Sequence, residues 1–256
     1  MTLPDLNYEF DKILLDRQDK ETKERANRVL GRYYPSEIPA CVRQTFYSFY
    51  NPKPKPAKTL RVFEAGDQAH DWVKKMLEAL VEAKQIHGEV ASLENERPFT
   101  IVVDHDEDIS IEGRFDDFLM LSNDRERYLI DAKSQKNLYY TNEFKKEHAI
   151  QVMPYIYVKR PCKGIIAYVD RASYETKFLP GPPTDGIEYD KEIMNWIFTR
   201  TKLLHKYIVT HTMPPPEAKQ IKEMTWMCNL CPWKVECDAA EAQTSKWIKP
   251  IEVKKD

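Results

Sequence analysis

The stretch Tyr128-Leu129-Ile130-Asp131-Ala132-Lys133 is an apolar run that ends in the pattern D-x-K. It predicts a β-strand, and because side chains alternate across a strand, Asp131 and Lys133 are expected on the same face. The preceding β-rich stretch contains Gly113-Arg114-Phe115-Asp116, and a hairpin between the two would place Asp116 beside Asp131. Two adjacent carboxylates repel each other unless a cation lies between them, so the pair predicts a Mg²⁺ or Mn²⁺ ion. The lysine ammonium would neutralise charge that develops at a phosphate.

Two further groups are placed to join these acids. His70 ends a G-x-x-x-H pattern on the helix predicted before the sheet, and an imidazole there can complete a metal shell. Gln151 and Tyr155, four positions apart on the helix predicted after the sheet, share a face. An amide and a phenol at that position suit contacts to a nucleic-acid strand or orientation of the lysine. Each motif is weak by itself, because patterns this short arise by chance.

Hydrophobic periodicity predicts the elements around this strand. The predicted helices are 8–30, which lies on the surface, 42–49, 60–86, 143–157 and 191–209. The predicted strands are 97–103, 109–120, 128–132, 164–169 and 174–179, the first three forming a meander with a polar turn at 122–125. Prolines break the linker 51–58. Mixed strands enclosed by helices predict an α/β or α+β core with a mixed central sheet.

Composition limits the class of protein. The 256 residues are near the upper size for one hydrophobic core, and no apolar run reaches the length of a membrane span. The acidic, polar N-terminus is unlike a signal peptide, so a cytoplasmic protein with no membrane partner is expected. A net charge of −2 argues against a highly basic nucleic-acid coat protein, but it is compatible with a local basic groove. The chain contains no glycine-rich nucleotide-binding motif, so no ATP-binding loop is expected.

Four cysteines form a separate pattern. Cys228, Cys231 and Cys237 follow the spacing C-x2-C-x5-C, and Cys41 lies near the other end of the chain. Four thiolates complete the coordination of a tetrahedral zinc or of an iron–sulfur cluster, and the spacing alone does not choose between them. Such a centre would tie the two ends of the chain together. Cys162 has no partner in this pattern and is expected to be a core or surface residue.

The series G-x-x-x-H, G-x-x-D, D-x-K and Q-x-x-x-Y, flanked by one early and three late cysteines, resembles the RecB-type branch of the PD-(D/E)XK nucleases. The similarity is greatest to the CRISPR-associated RecB-like iron–sulfur exonucleases and their phage and archaeal relatives. The run 41–47 also resembles the C-x-R-x-x-F-Y beginning of that family. The resemblance covers residues 33–237. It implies a restriction-endonuclease-like core at 59–182, an N-terminal helix at 1–32, and a helical iron–sulfur region made of 33–58 with 186–245.

The resemblance also implies an activity and roles for individual residues. The activity is metal-dependent hydrolysis of single-stranded DNA ends, in CRISPR spacer processing or in DNA repair and recombination, with room for protein partners. His70, Asp116 and Asp131 would bind Mn²⁺ or Mg²⁺, Lys133 would be catalytic, and Gln151 and Tyr155 would assist. The four cysteines would hold a [4Fe–4S] cluster, with Zn²⁺ as the alternative. The second acid of the signature is Asp131, where many of these enzymes have Glu.

Two other functions are compatible with parts of the pattern. One is a catalytically silent nucleic-acid-binding or assembly subunit with a structural four-cysteine metal site, against which the intact acids and lysine argue. The other is an electron-transfer or redox-sensing protein built around the cluster. A ligand set spread across the chain, around a second acid-rich site, does not favour it.

Overall fold

The computed structural model describes residues 5–25, 28–83, 90–121, 126–181 and 186–240. These residues form two mixed sheets flanked by helices. The helices are α1 (Leu6–Arg25), α2 (Val42–Tyr50), α3 (Ala57–Glu82), α4 (Lys146–Lys159), α5 (Lys191–Val209), α6 (Glu217–Gln220), α7 (Thr225–Leu230) and α8 (Lys234–Ala239). The strands are β1 (Arg32–Tyr33), β2 (Val90–Asn95), β3 (Pro98–Asp104), β4 (Ile109–Arg114), β5 (Asp117–Leu121), β6 (Arg127–Gln135), β7 (Lys163–Asp170) and β8 (Thr176–Leu179). Short 3₁₀ turns occupy Pro35–Glu37 and Lys222–Met224.

The larger sheet has the strand order β2-β5-β6-β7-β8, so β6, which carries the D-x-K, is its central strand. β6 runs antiparallel to β5 and parallel to β7, with α4 as the crossover between the parallel pair. Leu129, Ile130 and Ala132 are all buried on this strand. A strand covered on both faces requires apolar residues on both, which explains the continuous apolar run in the sequence.

Helices cover the two faces of this sheet. On one face α3 packs through Ala69, Val73 and Leu77, spaced four residues apart along the helix, against β5, β6 and β7. On the other face α4 lies so close to β7 that a Cβ atom at Gly164 would come within 2.7 Å of a Val152 methyl group. Glycine at this point therefore allows α4 to approach the sheet. This contact fixes α4 next to the central strand.

The smaller sheet has the order β1-β4-β3, with β1 parallel and β3 antiparallel to β4. The chain enters β1 through Gly31, whose φ of 88° is in the left-handed region that glycine adopts without steric cost. A Cβ atom there would stand 2.4 Å from the Asp108 carbonyl oxygen. Residues 105–108 form the turn between β3 and β4.

A buried ion pair joins the early and late parts of the chain. The Arg200 guanidinium on α5 donates two hydrogen bonds to the Glu217 carboxylate, at 2.8 and 2.7 Å. It also donates to the carbonyl oxygens of Ile38 and Ala40, while Glu217 accepts from the Val42 amide at 3.0 Å. The start of α2 is therefore held against α5 and α6 by direct hydrogen bonds.

Several predicted elements differ from the structure. The sequence predicts one strand of a meander over 109–120, but this stretch is two strands, β4 and β5, in different sheets. The break falls at Phe115, whose ring is buried in the main core and turns the chain from one sheet to the other. Strand β2 is not predicted by the sequence. The turn predicted at 122–125 lies outside the described residues.

Helix boundaries also differ from those predicted. α1 ends at Arg25, so Val29 and Leu30 lie outside it, and Phe10 and Ile13 on this helix are exposed. α3 begins at Ala57, inside the predicted linker, because the preceding Pro56 lies at the N-cap, where a helix tolerates its missing N–H. The prediction for α5 is confirmed at both ends. None of the helices in the described ranges is long and apolar enough to cross a membrane.

Candidate metal site and cysteine pocket

Asp116, Asp131 and Lys133 lie together where β5 begins, beside the middle of β6. The antiparallel register pairs Asp117 with Ile130, so Asp116 and Asp131 fall opposite each other one residue further on. The Asp116 Oδ2 atom accepts a hydrogen bond from the Ala132 amide at 3.0 Å, which fixes this carboxylate against the central strand. The Lys133 Nζ atom is 2.7 Å from Asp131 Oδ2, in an ion pair whose carboxylate is almost fully buried.

Burial and neighbouring charges have opposite outcomes at the two acids. Burial raises the pKa of Asp131 to about 6, because the charge of Lys133 offsets only part of the desolvation. Burial also acts to raise the pKa of Asp116, but the hydrogen bond and charge of His70, with the charge of Lys133, outweigh it. The pKa of Asp116 is therefore below its ordinary value.

His70 reaches this pair from α3. Its Nδ1 atom is 3.0 Å from Asp116 Oδ2. Burial acts to lower the pKa of His70, but the hydrogen bond and charge of Asp116 prevail and raise it. The neighbouring Ala69 packs α3 onto the sheet. This packing brings His70, the next residue of the helix, within reach of Asp116. The structure thus pairs His70 with Asp116, and the strand register sets Asp131 opposite Asp116.

Gln151 and Tyr155 lie on α4, which packs on the same sheet across β6 and β7. Their side chains are hydrogen-bonded to each other. Tyr155 is buried, packs edge-on against Phe99 with ring centroids 5.2 Å apart, and has a raised pKa because of burial and the charge of Asp131. Its hydroxyl therefore stays protonated. Gln151 is only partly buried and lines a cavity of about 320 Å³ beside the site, together with His148 and Trp226.

The sequence patterns missed two residues of this neighbourhood. His148 Nδ1 is 2.8 Å from the Tyr168 hydroxyl, and burial together with the charge of Lys133 lowers the pKa of His148 to about 3. Asp117 is buried next to Asp116, and burial and that neighbour raise the pKa of Asp117 to about 7. His148 precedes Gln151 by three residues on one helix, and this spacing is the signal that identifies it as a neighbour.

All four predicted cysteine ligands line one small pocket of about 20 Å³. Cys41 is the N-cap residue of α2, Cys228 lies on α7, Cys231 follows α7, and Cys237 lies on α8. Burial raises the pKa of Cys231, and the neighbouring Cys41, Cys237 and Cys228 raise it further. The early and late cysteines, distant in sequence, are therefore electrostatic neighbours.

Hydrogen-bond donors surround this pocket. The backbone amides of Ala218, Gln44 and Arg43 donate towards the Cys41 sulfur, although burial still raises its pKa. Arg43 is almost fully buried and lies with Nη1 3.6 Å from Cys237 Sγ. Such donors stabilise negative charge on sulfur. Soft thiolate ligands in this number match zinc or an iron–sulfur cluster in kind.

Trp233 and Cys162 are both packed against other side chains. Trp233 is buried, stacks on Tyr47 at 6.3 Å, and donates its indole N–H to the Asn51 carbonyl, so it packs the cover of the cysteine pocket. Cys162 packs against the main core, away from the other four thiols, and burial raises its pKa to about 11.

Neither site is arranged as a finished metal centre. Over the described residues, no group of three or more His, Cys, Asp or Glu side chains is positioned to hold a metal ion. At the acid site the charges of His70 and Lys133 are directed at the two carboxylates themselves. The donor types fit a divalent ion at one site and a thiolate-bound centre at the other, and binding would require the side chains to reorient.

Comparisons with known proteins bear on the fold. No protein-family model matches the chain. No curated protein matches it either. Among solved structures 16 chains match. One is the crystal structure of SSO0001, with a TM-score of 0.58 and 16% identity, covering 89% of this chain and 95% of that chain. At this identity the likeness shows the fold alone, an α+β arrangement of mixed sheets flanked by helices.

Proposed function

We propose that this protein is a divalent-metal-dependent deoxyribonuclease of the PD-(D/E)XK class that degrades single-stranded DNA from its ends. The observation that carries the proposal is the meeting of Asp116, Asp131 and Lys133 where β5 begins beside the central strand. Two acids and a lysine on adjacent strands are the groups needed to hold a cation and a phosphate together. The order of motifs along the chain supports the same class.

Each residue has a role that follows from its position. Asp116 and Asp131, with His70, would hold Mn²⁺ or Mg²⁺. When bound, such an ion orients water, favours its deprotonation and binds the scissile phosphate. Lys133 neutralises the negative charge that develops at phosphorus, and its ion pair with Asp131 keeps the ammonium beside that carboxylate. Gln151 lines the adjacent cavity, where its amide would contact a nucleic-acid strand.

The cysteine pocket is proposed to hold a [4Fe–4S] cluster, with Zn²⁺ as the alternative. The support is the convergence of Cys41, Cys228, Cys231 and Cys237 on one pocket with sulfur-directed donors around it. Its role is structural, because the cysteines line a pocket separate from the acids and lysine. It would secure the 33–58 segment to the C-terminal helices that cover the nuclease core.

The Asp116→Asn variant tests the proposed chemistry. Labelled oligonucleotides, single- and double-stranded and blocked at either end, are incubated with Mn²⁺, Mg²⁺ or EDTA. The wild-type protein should shorten the single strands only with a divalent ion, and Asp116→Asn should lower that rate at least about 100-fold, because the variant loses a charged ligand.

A matched control replaces a carboxylate elsewhere. Asp104, the last residue of β3, pairs with Lys202 of α5 at 2.6 Å. Asp104→Asn therefore removes a comparable ion pair, and this variant should cleave as the wild type does. Divalent-independent cleavage, or full activity in Asp116→Asn, would contradict the proposal. DNA binding without any turnover would favour the silent assembly subunit.

Substitutions at the cysteine pocket test the cluster. Protein purified without oxygen should be brown and contain about four irons per chain, and Cys41→Ala or Cys231→Ala should remove both colour and iron. Cys162→Ala is the matched control, because this thiol packs against the main core, and it should keep both. One zinc and no iron per chain would contradict the cluster while leaving the nuclease proposal intact. Asp116→Asn should remain coloured.

A further inference from the structure

Two adjacent tyrosines project from the loop that follows the central strand. Tyr139 and Tyr140 are 80% and 85% exposed, the highest values among the large hydrophobic side chains in the described part of the chain. Their rings are in contact, with centroids 4.7 Å apart and planes at 85°. Isolated exposed apolar residues are ordinary, but two such rings side by side mark a surface that is suited to a ligand.

The loop that carries them is anchored on both sides of the pair. Leu138 and Phe144 are buried in the main core, one before and one after the tyrosines. The Thr141 hydroxyl donates to Gln135 Oε1 at 3.2 Å, and the Lys177 ammonium donates to the Asn142 side chain at 3.1 Å. The rings are therefore presented to solvent by a fixed backbone. A fixed backbone lowers the conformational entropy that this segment loses on binding.

Both ends of this loop lie close to the candidate site formed by Asp116, Asp131 and Lys133. The loop leaves β6 just after Lys133, and it ends where the Lys145 amide donates to the Tyr168 hydroxyl at 2.9 Å. The same hydroxyl contacts His148, whose pKa responds to the charge of Lys133. Tyr168 is also the register partner of Lys133 on the neighbouring strand, so both ends of this short connection lie near Lys133.

Charge and ring chemistry indicate the ligand. Exposed Lys136 and Lys145 bracket the loop, with Glu143 the one acid between them in sequence. Aromatic faces stack on any nucleobase, and flanking ammonium groups attract the phosphate backbone. In duplex DNA the base faces are already stacked on one another, so only unpaired bases present a free face. The arrangement suits a flexible single strand.

Building on the proposed function, we propose that Tyr139 and Tyr140 form a stacking platform for the unpaired bases of a single-stranded nucleic acid, and that it guides the strand to the Asp116–Asp131–Lys133 site. The platform binds through base faces, so it gives preference for single strands over duplex with little dependence on sequence. The positioning residues Tyr139 and Tyr140 do not take part in the chemistry. Their contribution is to substrate binding.

The test measures binding in EDTA, where no cleavage can occur. Anisotropy of a labelled oligonucleotide gives Kd for the wild type and for the double variant Tyr139→Ala/Tyr140→Ala. We expect Kd for single-stranded DNA to rise about tenfold or more, which corresponds to at least about 1.4 kcal/mol. The change for duplex DNA should be less than about twofold. Because no charge is removed, the salt dependence of binding should keep its slope.

Three controls separate stacking from other causes. Tyr139→Phe/Tyr140→Phe keeps the rings and should restore wild-type binding. Tyr8→Ala removes a tyrosine that is 64% exposed on α1 and should have no effect. An oligonucleotide with the same phosphates but no bases in its central part should bind wild type and double-alanine variant equally. A single-stranded RNA of the same sequence shows whether the platform distinguishes the sugars. If the double-alanine variant bound RNA more weakly than wild type but bound single-stranded DNA equally well, the assignment of the platform to DNA would be overturned.

Failure of this inference is distinct from failure of the proposed function. Unchanged Kd for single-stranded DNA in the double-alanine variant would overturn the platform, even when the wild type cleaves with Mn²⁺, and so would an equal loss for duplex DNA. A protein that never cleaves but loses single-strand binding in the same variant would overturn the nuclease and retain the platform. Thermal melting of both double variants verifies that the exposed substitutions leave the fold intact.

Discussion

Lys133→Ala is expected to lower the rate of DNA cleavage by about 10²–10³-fold while DNA binding persists. The Lys133 ammonium lies 2.7 Å from Asp131 on the central strand. Asp116 lies opposite Asp131 in the strand register and is paired with His70. If the reaction is phosphodiester hydrolysis, this ammonium faces charge that grows in the transition state, so its loss reduces kcat more than KM. The measurement is the rate of shortening of a labelled single strand with saturating Mn²⁺, together with Kd in EDTA.

Lys159→Ala provides a matched control. Lys159 also forms a 2.7 Å ion pair, with Glu94, and its side chain is about as buried as that of Lys133. It lies at the other end of α4 and contacts Phe115 and Phe118 through its ammonium, so its removal tests the general cost of losing a half-buried lysine. Thermal melting reports that cost for both variants. Equal cleavage by Lys133→Ala and wild type would falsify the assignment of Lys133.

The sequence predicts the elements whose residues repeat a single clear period. α5 has both a helical apolar period and a capping residue, since Asp190 accepts hydrogen bonds from the amides of Glu192 and Ile193, and both of its ends agree with the prediction. β6 is predictable because a central strand buried on both faces must be apolar throughout. Alternation also places Asp131 and Lys133 on one face, where the structure has them in contact.

Other features depend on contacts that no local pattern records. The run 109–120 alternates apolar and polar residues only as far as Asp116, and the burial of Phe115 among residues from both sheets marks where it divides into β4 and β5. The segment Val90–Asn95 has the polar residues of an edge strand and no regular period, so the sequence does not predict β2. The approach of His148 to the predicted lysine depends on how α4 packs on the sheet.

The candidate sites divide in the same way. The residue types and their order are readable, because D-x-K and the cysteine spacing are local. The pairing of His70 with Asp116 and the gathering of Cys41 with the late cysteines require the fold. The ion pair of Arg200 and Glu217 has no sequence signal at all, since its partners are 17 positions apart on different helices. It is nevertheless the contact whose loss should destabilise the chain most.

Glu217→Ala is expected to destabilise the protein by about 3–5 kcal/mol, or a fall in Tm of roughly 10 °C. Glu217 is 1% exposed, so its removal leaves the Arg200 guanidinium buried with two of its hydrogen bonds lost and the Val42 amide without its acceptor. Breaking one side of a buried pair costs more than the pair contributes, because the remaining charge stays desolvated. The double variant Arg200→Met/Glu217→Leu removes both charges and should therefore be more stable than Glu217→Ala.

An exposed pair serves as the comparison. Arg17 and Glu64 stand 3.6 Å apart with both side chains largely in solvent, and Glu64→Ala should cost less than about 1 kcal/mol. Because the Val42 amide held by Glu217 follows Cys41 directly, loosening it should also release that thiol from the pocket shared with the late cysteines. Glu217→Ala should then lose metal along with stability, whereas Glu64→Ala should keep both. A Tm for Glu217→Ala within about two degrees of the wild type would show that the early and late segments are held together by other contacts.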